Sequence, residues 1–243
     1  MPYRTGDYPE GFQGAEVDSL SALVSAAREG LDQEEIPIRI TDPHLVVDDM
    51  NRALQQVGGS YLLCQLSRDG TAITVTPQGG LTHQQALARL DELDRLAEQI
   101  YQAAVTSDMS RLEQAQALYT WLTGQVRYDF RYYGQPGEMP YDSTTAYGAL
   151  HDHLAICGGY AQALQLLLAQ ADIPCITVSG KLGGENHMWA LAKVDGQWHY
   201  FDPTSDRGRA EYGFLYFNVP AEDLERHTWD AAWAQTLAEA LFP

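Results

Sequence analysis

Three residues in the C-terminal half of this chain carry the groups from which a covalent catalyst can be assembled. Cys157 stands directly before Gly158 and Gly159 in AICGGYAQAL, and His187 and Asp202 stand at the two ends of HMWALAKVDGQWHYFD. A thiol becomes a strong nucleophile when it is ionised. An imidazole can take its proton, and a carboxylate fixes the tautomer of that imidazole and stabilises its cation. By itself Cys157 is open to two readings, a reactive nucleophile or a small apolar residue at a glycine corner.

The elements around these residues decide whether they can meet. After Cys157, the residues Tyr160, Ala163, Leu164, Leu167, Leu168 and Ala171 recur at helical spacing, which predicts a helix with one buried face. Cys157 then lies at or just before a helix N-terminus, where unpaired N–H groups and the positive dipole end favour an anion. Gly158 and Gly159 leave room for a substrate carbonyl, and the same N–H groups are potential oxyanion donors. Downstream, Asp195-Gly196 predicts a two-residue hairpin turn. Counting outward sets Val194 opposite Gln197, Trp189 opposite Asp202 and His187 opposite Thr204. His187 and Asp202 then project from one face as diagonal neighbours, roughly 7 to 8 Å apart at the backbone. A three-residue loop would reverse that parity and separate them.

The other candidates are weaker on the same tests. His199 differs in parity from Asp202 and faces the other side of a regular strand. His151 and His153 form an H-x-H pair with no third ligand at a recognisable spacing, so no metal site is expected, and a metal-dependent hydrolase stands as a third option. His44, His83 and His227 sit in helical or polar surroundings and read as surface or cap residues. Cys64 and Cys175 lie in strand-like runs and read as core thiols.

The rest of the chain is α+β in pattern. Its 243 residues are 45% apolar, enough for a substantial core, and the net charge is −18, with 33 acidic residues against 15 basic. Such a charge disfavours nucleic acid and anionic membrane surfaces. Neither a signal peptide nor a membrane-spanning run is evident, and three cysteines are too few for a disulfide scaffold. A Gly/Pro/Tyr-rich arm opens the chain. A helix is expected from about Val17 to Ala27, then a strand at IPIRI, a helix over 42–57, and a hairpin around Asp69-Gly70. A long helix follows over 81–105, with Thr82 and Gln85 at capping-box spacing. Ser110 and Glu113 repeat that spacing before a helix that Gly124 would stop. The aromatic segment 125–147 reads as a loop lining a groove or packed on the surface, and Ser143 as the cap of a short helix over 143–150. GKLGGEN reads as a loop. The break near 106–109 divides an N-terminal α/β extension (1–105) from a second domain (106–243).

The sequences TAYGALHDHLAICGGYAQALQLLLAQADIPCITVSG and HMWALAKVDGQWHYFDPTSD resemble the bacterial transglutaminase-like superfamily, which shares a papain-like cysteine-protease core. The resemblance rests on Cys before a Gly-Tyr-Ala helix start, His two residues before Trp, and Asp in a W-x-x-x-D-P-T segment, and it covers about residues 110–230. It implies Cys157 as nucleophile, His187 as general base and acid, and Asp202 as the orienting carboxylate, with no cofactor and no metal. The implied reaction is acyl transfer on peptide or protein amides, hydrolysis in preference to cross-linking. The alternative is an inactive peptide- or glycan-binding module. An extracellular or cell-envelope location is also implied by resemblance. Gly158 and Ala190 stand where related sequences often carry polar residues, and Tyr147 is a candidate second oxyanion donor.

Overall fold

The computed structural model describes Tyr8 and residues 10–243, so most of the expected N-terminal arm lies outside the described residues. These residues form two compact units, one running to residue 90 and including 239–243, the other comprising 91–238.

The first unit contains β1 (Ala15–Val17), α1 (Leu20–Glu29), β2 (Glu35–Ile40), α2 (Val47–Leu54), β3 (Leu62–Leu66) and β4 (Ala72–Pro77). Its sheet runs β1-β2-β4-β3, with β1 parallel to β2 and the other pairs antiparallel. The first helix starts later than the apolar spacing suggests. Val17 pairs with Ile40 as a strand residue, and the Ser19 hydroxyl accepts the Ala22 N–H at 3.2 Å as the N-cap. At the β3–β4 hairpin, Asp69 Oδ1 accepts the Ser67 hydroxyl, the Thr71 N–H and the Thr71 hydroxyl, while Gly70 takes a φ of 71°. Cys64 is buried in this hairpin, and desolvation pushes its thiol up to about 11. It is the core thiol its position suggests.

α3 (His83–Ala104) opens with the expected reciprocal capping of Thr82 and Gln85, and its residues from 91 onward belong to the second unit. α4 (Arg111–Gln125) has the Ser110–Glu113 capping box but runs through Gly124, because the Leu122 carbonyl still finds the Val126 N–H at 3.2 Å. The aromatic segment is more structured than a loop. It comprises β5 (Arg127–Tyr128), α5 (Arg131–Gly134), two 3-10 turns and α6 (Ala146–Leu150). Thr145, not Ser143, caps α6 by accepting the Tyr147 N–H, while the Ser143 hydroxyl is committed to Asp129 at 2.7 Å.

β6 (Leu154–Ala155) pairs in parallel with β5 and leads into α7 (Cys157–Gln170), which buries Tyr160, Ala163, Leu164, Leu167 and Leu168 as the spacing predicts. Each of these leucines contributes about 1.5–3 kcal/mol by burial. The second sheet is antiparallel, ordered β10-β7-β8-β9, from β7 (Cys175–Leu182), β8 (Glu185–Val194), β9 (Gln197–Phe201) and β10 (His227–Thr228). GKLGGEN is strand rather than loop, apart from a turn at Gly183-Gly184. Both glycines have positive φ, and Leu182 pairs with Glu185 across them. The β8–β9 turn has two residues, Asp195 and Gly196 at φ of 51° and 82°, so Val194 pairs with Gln197 and the expected parity holds. α8 (Ala231–Leu241) closes the chain.

Candidate active site

Cys157 is the first residue of α7 and follows Ile156, whose extended backbone provides no side-chain cap. Of the three cysteines, all free, it alone is not buried. The turn before it is tight. A Cβ on Gly159 would come to 2.6 Å from the Thr145 carbonyl oxygen and 2.7 Å from the Ala155 Cβ, and one on Gly158 to 3.0 Å from the Thr144 carbonyl oxygen. The glycines therefore let α7 start against the 143–145 turn. Gly159→Ala is expected to lower stability by about 1–3 kcal/mol through overpacking. Urea denaturation measures this, and an unchanged midpoint would contradict the close approach.

The β8–β9 hairpin brings His187 and Asp202 together. The His187 Nε2 donates to Asp202 Oδ2 at 2.9 Å, with the imidazole side chain 8% exposed and the carboxylate 0%. That bond commits Nε2 and leaves Nδ1 for the thiol. Burial by itself lowers the His187 pKa. Hydrogen bonding to Asp202 and Cys157, together with electrostatic interaction with both, outweighs it and raises the ring from 6.5 to about 9. Burial likewise acts to raise Asp202. The hydrogen bonds from His187, His227 and Ser205 and the His187 charge prevail and hold the carboxyl well below the ordinary range.

Asp202 is braced on every side. Its Oδ1 accepts the Ser205 N–H at 3.1 Å, its Oδ2 accepts the Ser205 hydroxyl at 2.5 Å, and its own N–H donates to the Tyr216 carbonyl. The loop that does this is tied by a second buried carboxylate. Asp206 accepts the Tyr119 hydroxyl at 2.9 Å and the N–H groups of Leu215 and Tyr216, each at 2.8 Å. His227, read from sequence as a surface or cap residue, is fully buried, and its Nε2 lies 3.0 Å from Asp202 Oδ2. Its position depends on β10 pairing with β7, His227 opposite Leu182, a contact no local pattern announces.

A cluster of aromatic side chains gathers around Tyr128. Tyr128 pairs with Ala155, two residues before the cysteine. Its hydroxyl is raised above its ordinary pKa by burial first, then by a hydrogen bond with Tyr133 and electrostatic interaction with Cys157. Phe130 packs on Tyr128 with centroids at 5.2 Å, and the Arg207 guanidinium lies 5.2 Å over Tyr128 and 5.9 Å over Phe130. Phe130 and Tyr133 are 64% and 60% exposed. Beneath them, hydrogen bonds from Arg131, with Ser143 assisting, hold the Asp129 carboxyl down at about 2 against its burial. Tyr147 is buried and stacks on His151, with centroids at 4.4 Å.

Three of the remaining histidines have polar partners elsewhere. His199 bonds Asn218, His151 pairs with Asp152, and His83 bonds the Leu31 carbonyl. Cys175 is buried, and desolvation raises its thiol. Among the described residues, one group has donor atoms close enough for a metal ion, His187, Asp202 and His227, all within 4.8 Å of one another. His187 and His227 already donate through Nε2 to Asp202 there. An ion there would replace the His187–Asp202 hydrogen bond.

The fold is α+β, with Cys157 at the start of a helix and the His187–Asp202 pair carried by an antiparallel hairpin. Residues 95–203 match the model of the transglutaminase-like superfamily. Similar solved structures include one described as a TGase, 18% identical, aligned over 69% of this chain and 51% of its own, TM-score 0.44. A candidate cysteine protease from Cytophaga hutchinsonii is 19% identical over 57% of this chain and 45% of its own, TM-score 0.37. A candidate protease from Parabacteroides distasonis ATCC 8503 is 17% identical over 55% of this chain and 29% of its own, TM-score 0.35. The chain thus spans about half, or less, of the length of these proteins. No curated protein matches it.

Proposed function

We propose that the domain catalyses cysteine-dependent acyl transfer on peptide or protein amides, with Cys157 as nucleophile, His187 as general base and acid, and Asp202 as the carboxylate that orients His187. The reading is carried by the His187 imidazole, held at 2.9 Å by a buried Asp202 and raised to about 9 with Cys157 among the causes. A protonated His187 beside the thiol stabilises the thiolate. The Cys157 thiolate attacks the amide carbonyl, and N–H groups in the first turn of α7 receive the oxyanion. The C–N bond then breaks as the His187 proton passes to the leaving nitrogen. Water enters, gives a proton to His187 and attacks the thioester, releasing the acid and restoring the thiolate.

All the reacting groups lie in 106–243, taken as the catalytic domain, with 1–105 as its extension. Water is the default acceptor, and no feature of the site marks a place for a second amine, so hydrolysis is preferred to cross-linking. The exposed Phe130 and Tyr133 beside Tyr128 offer flat apolar area, with a polar tip on each tyrosine, suited to an extended peptide. An extracellular or envelope location is part of the same proposal.

The test is a product census on a complex peptide mixture supplied with a fluorescent primary amine. New N-termini or released ammonia that vanish in Cys157→Ala support the proposal. Dye incorporation would make the enzyme a cross-linker, activity surviving Cys157→Ala but lost to a chelator would make it a metal hydrolase, and saturable binding without products a binding module.

Two pH effects follow from His187. As general acid it must be protonated, so kcat/KM is expected to fall above a pH of about 9. A basic limb unchanged in Asp202→Asn would contradict its assignment to His187. The same shift couples to folding. Because the folded pKa is raised, the stabilisation is complete below about 6.5 and is lost as pH rises through about 9. Thermal midpoints are expected to decline over that interval, and less so in His187→Gln.

A further inference from the structure

We infer that His227 is a positioning residue of the active site, the second imidazole on the carboxylate that orients His187; this rests on the reading of Cys157, His187 and Asp202 given above. Asp202 Oδ2 accepts three donors, His187 Nε2 at 2.9 Å, His227 Nε2 at 3.0 Å and the Ser205 hydroxyl at 2.5 Å. The two rings approach it from different elements, with centroids 5.7 Å apart.

Their surroundings divide the work between them. His187 retains some exposure and its Nδ1 is available to Cys157. His227 has none, and its Nδ1 is buried without a hydrogen-bond partner. The His227 ring is enclosed by Trp189, with centroids at 4.9 Å, and by Tyr216 at 5.4 Å, and its backbone N–H is committed to the Leu224 carbonyl. The tautomer with the proton on Nε2 is therefore the one that fits, since no acceptor faces Nδ1. His227 acts as a fixed donor, directed at Asp202.

The consequence is geometric. A carboxylate oxygen held from one side alone by the short Ser205 bond would be drawn toward the 202–205 turn and away from His187. The His227 donor opposes that displacement and keeps Oδ2 where His187 Nε2 meets it. It also adds a hydrogen bond to the ionised carboxylate, favouring the anion that supports an imidazolium at His187.

Iodoacetamide, applied to the full-length protein from pH 5 to 10 with Cys157 modification read by peptide mass spectrometry, tests this without a known substrate. His227→Leu removes the donor. His227→Gln carries an amide N–H that reaches roughly the place of Nε2, and His227→Asn one that stops near Nδ1. Expected is a loss of tenfold or more in the Cys157 alkylation rate at pH 5–6 in His227→Leu, recovery to within about threefold of wild type in His227→Gln, and a low rate in His227→Asn. If His227→Leu does not fold, the Gln and Asn variants decide by the same comparison. Rates equal to wild type in all folded variants, or Gln and Asn equally impaired, would overturn the role of His227. A wild-type Cys157 with no reactivity in mild acid would instead remove the thiolate reading on which the role rests, so the two failures are distinguishable.

Discussion

Cys157→Ala is expected to eliminate amide turnover, a loss on the order of 10⁴- to 10⁶-fold in kcat, while leaving the fold intact. No other described thiol can substitute. Cys64 and Cys175 are buried, and desolvation raises the pKa of both. The partly exposed Cys157 starts α7 without providing a cap, so alanine fits its backbone and removes only the sulfur. Residual turnover in the variant would come from preorganised N–H groups and substrate binding alone. Turnover within tenfold of wild type, with circular dichroism unchanged, would remove Cys157 from the chemistry.

Asp202→Asn has the second-largest expected effect and a different signature, because it acts on both catalysis and folding. The carboxylate accepts from His187, His227 and both the N–H and the hydroxyl of Ser205 at a site with no solvent exposure. An amide keeps one acceptor and sets an NH2 group against donors. His187 then loses the partner that fixes its tautomer and sustains its cation. The expected losses are about 10³- to 10⁴-fold in kcat with little change in KM, and about 2–4 kcal/mol of stability. The stability loss should be greatest near neutral pH and shrink in strong acid. The depressed Asp202 pKa contributes stability above the ordinary carboxylate range, and this fades as pH falls through the folded value. Steady-state kinetics combined with urea denaturation at pH 7 and pH 3 separate the two parts. A variant that loses stability but keeps kcat would make Asp202 purely structural.

The parts of the site set by local pattern were legible in the sequence. The apolar spacing after Cys157 placed it at a helix start, and the Asp195-Gly196 turn fixed the parity that puts His187 and Asp202 on one face. Capping boxes at Thr82 and Ser110 marked two helix starts for the same reason, since the groups that satisfy one another lie three residues apart. Misreadings arose where a distant partner decides. Ser143 looks like a cap until Asp129 claims its hydroxyl, and Val17 looks helical until Ile40 pairs with it. GKLGGEN looks like a loop because its strand residues alternate about two glycines that form the turn. His227 was the largest omission. Its burial depends on a two-residue strand at the edge of the second sheet, 25 residues from the carboxylate it touches.

The central claim is that Cys157 and His187 rest as a thiolate–imidazolium pair. The most direct measurement is the second-order rate of Cys157 alkylation by iodoacetamide as a function of pH, set against glutathione in the same solution. Such a pair gives a rate that holds a plateau through mild acid, where glutathione slows about tenfold per pH unit, and the plateau disappears in His187→Gln. A Cys157 rate that tracks glutathione across the range, unaltered by His187→Gln, would contradict it.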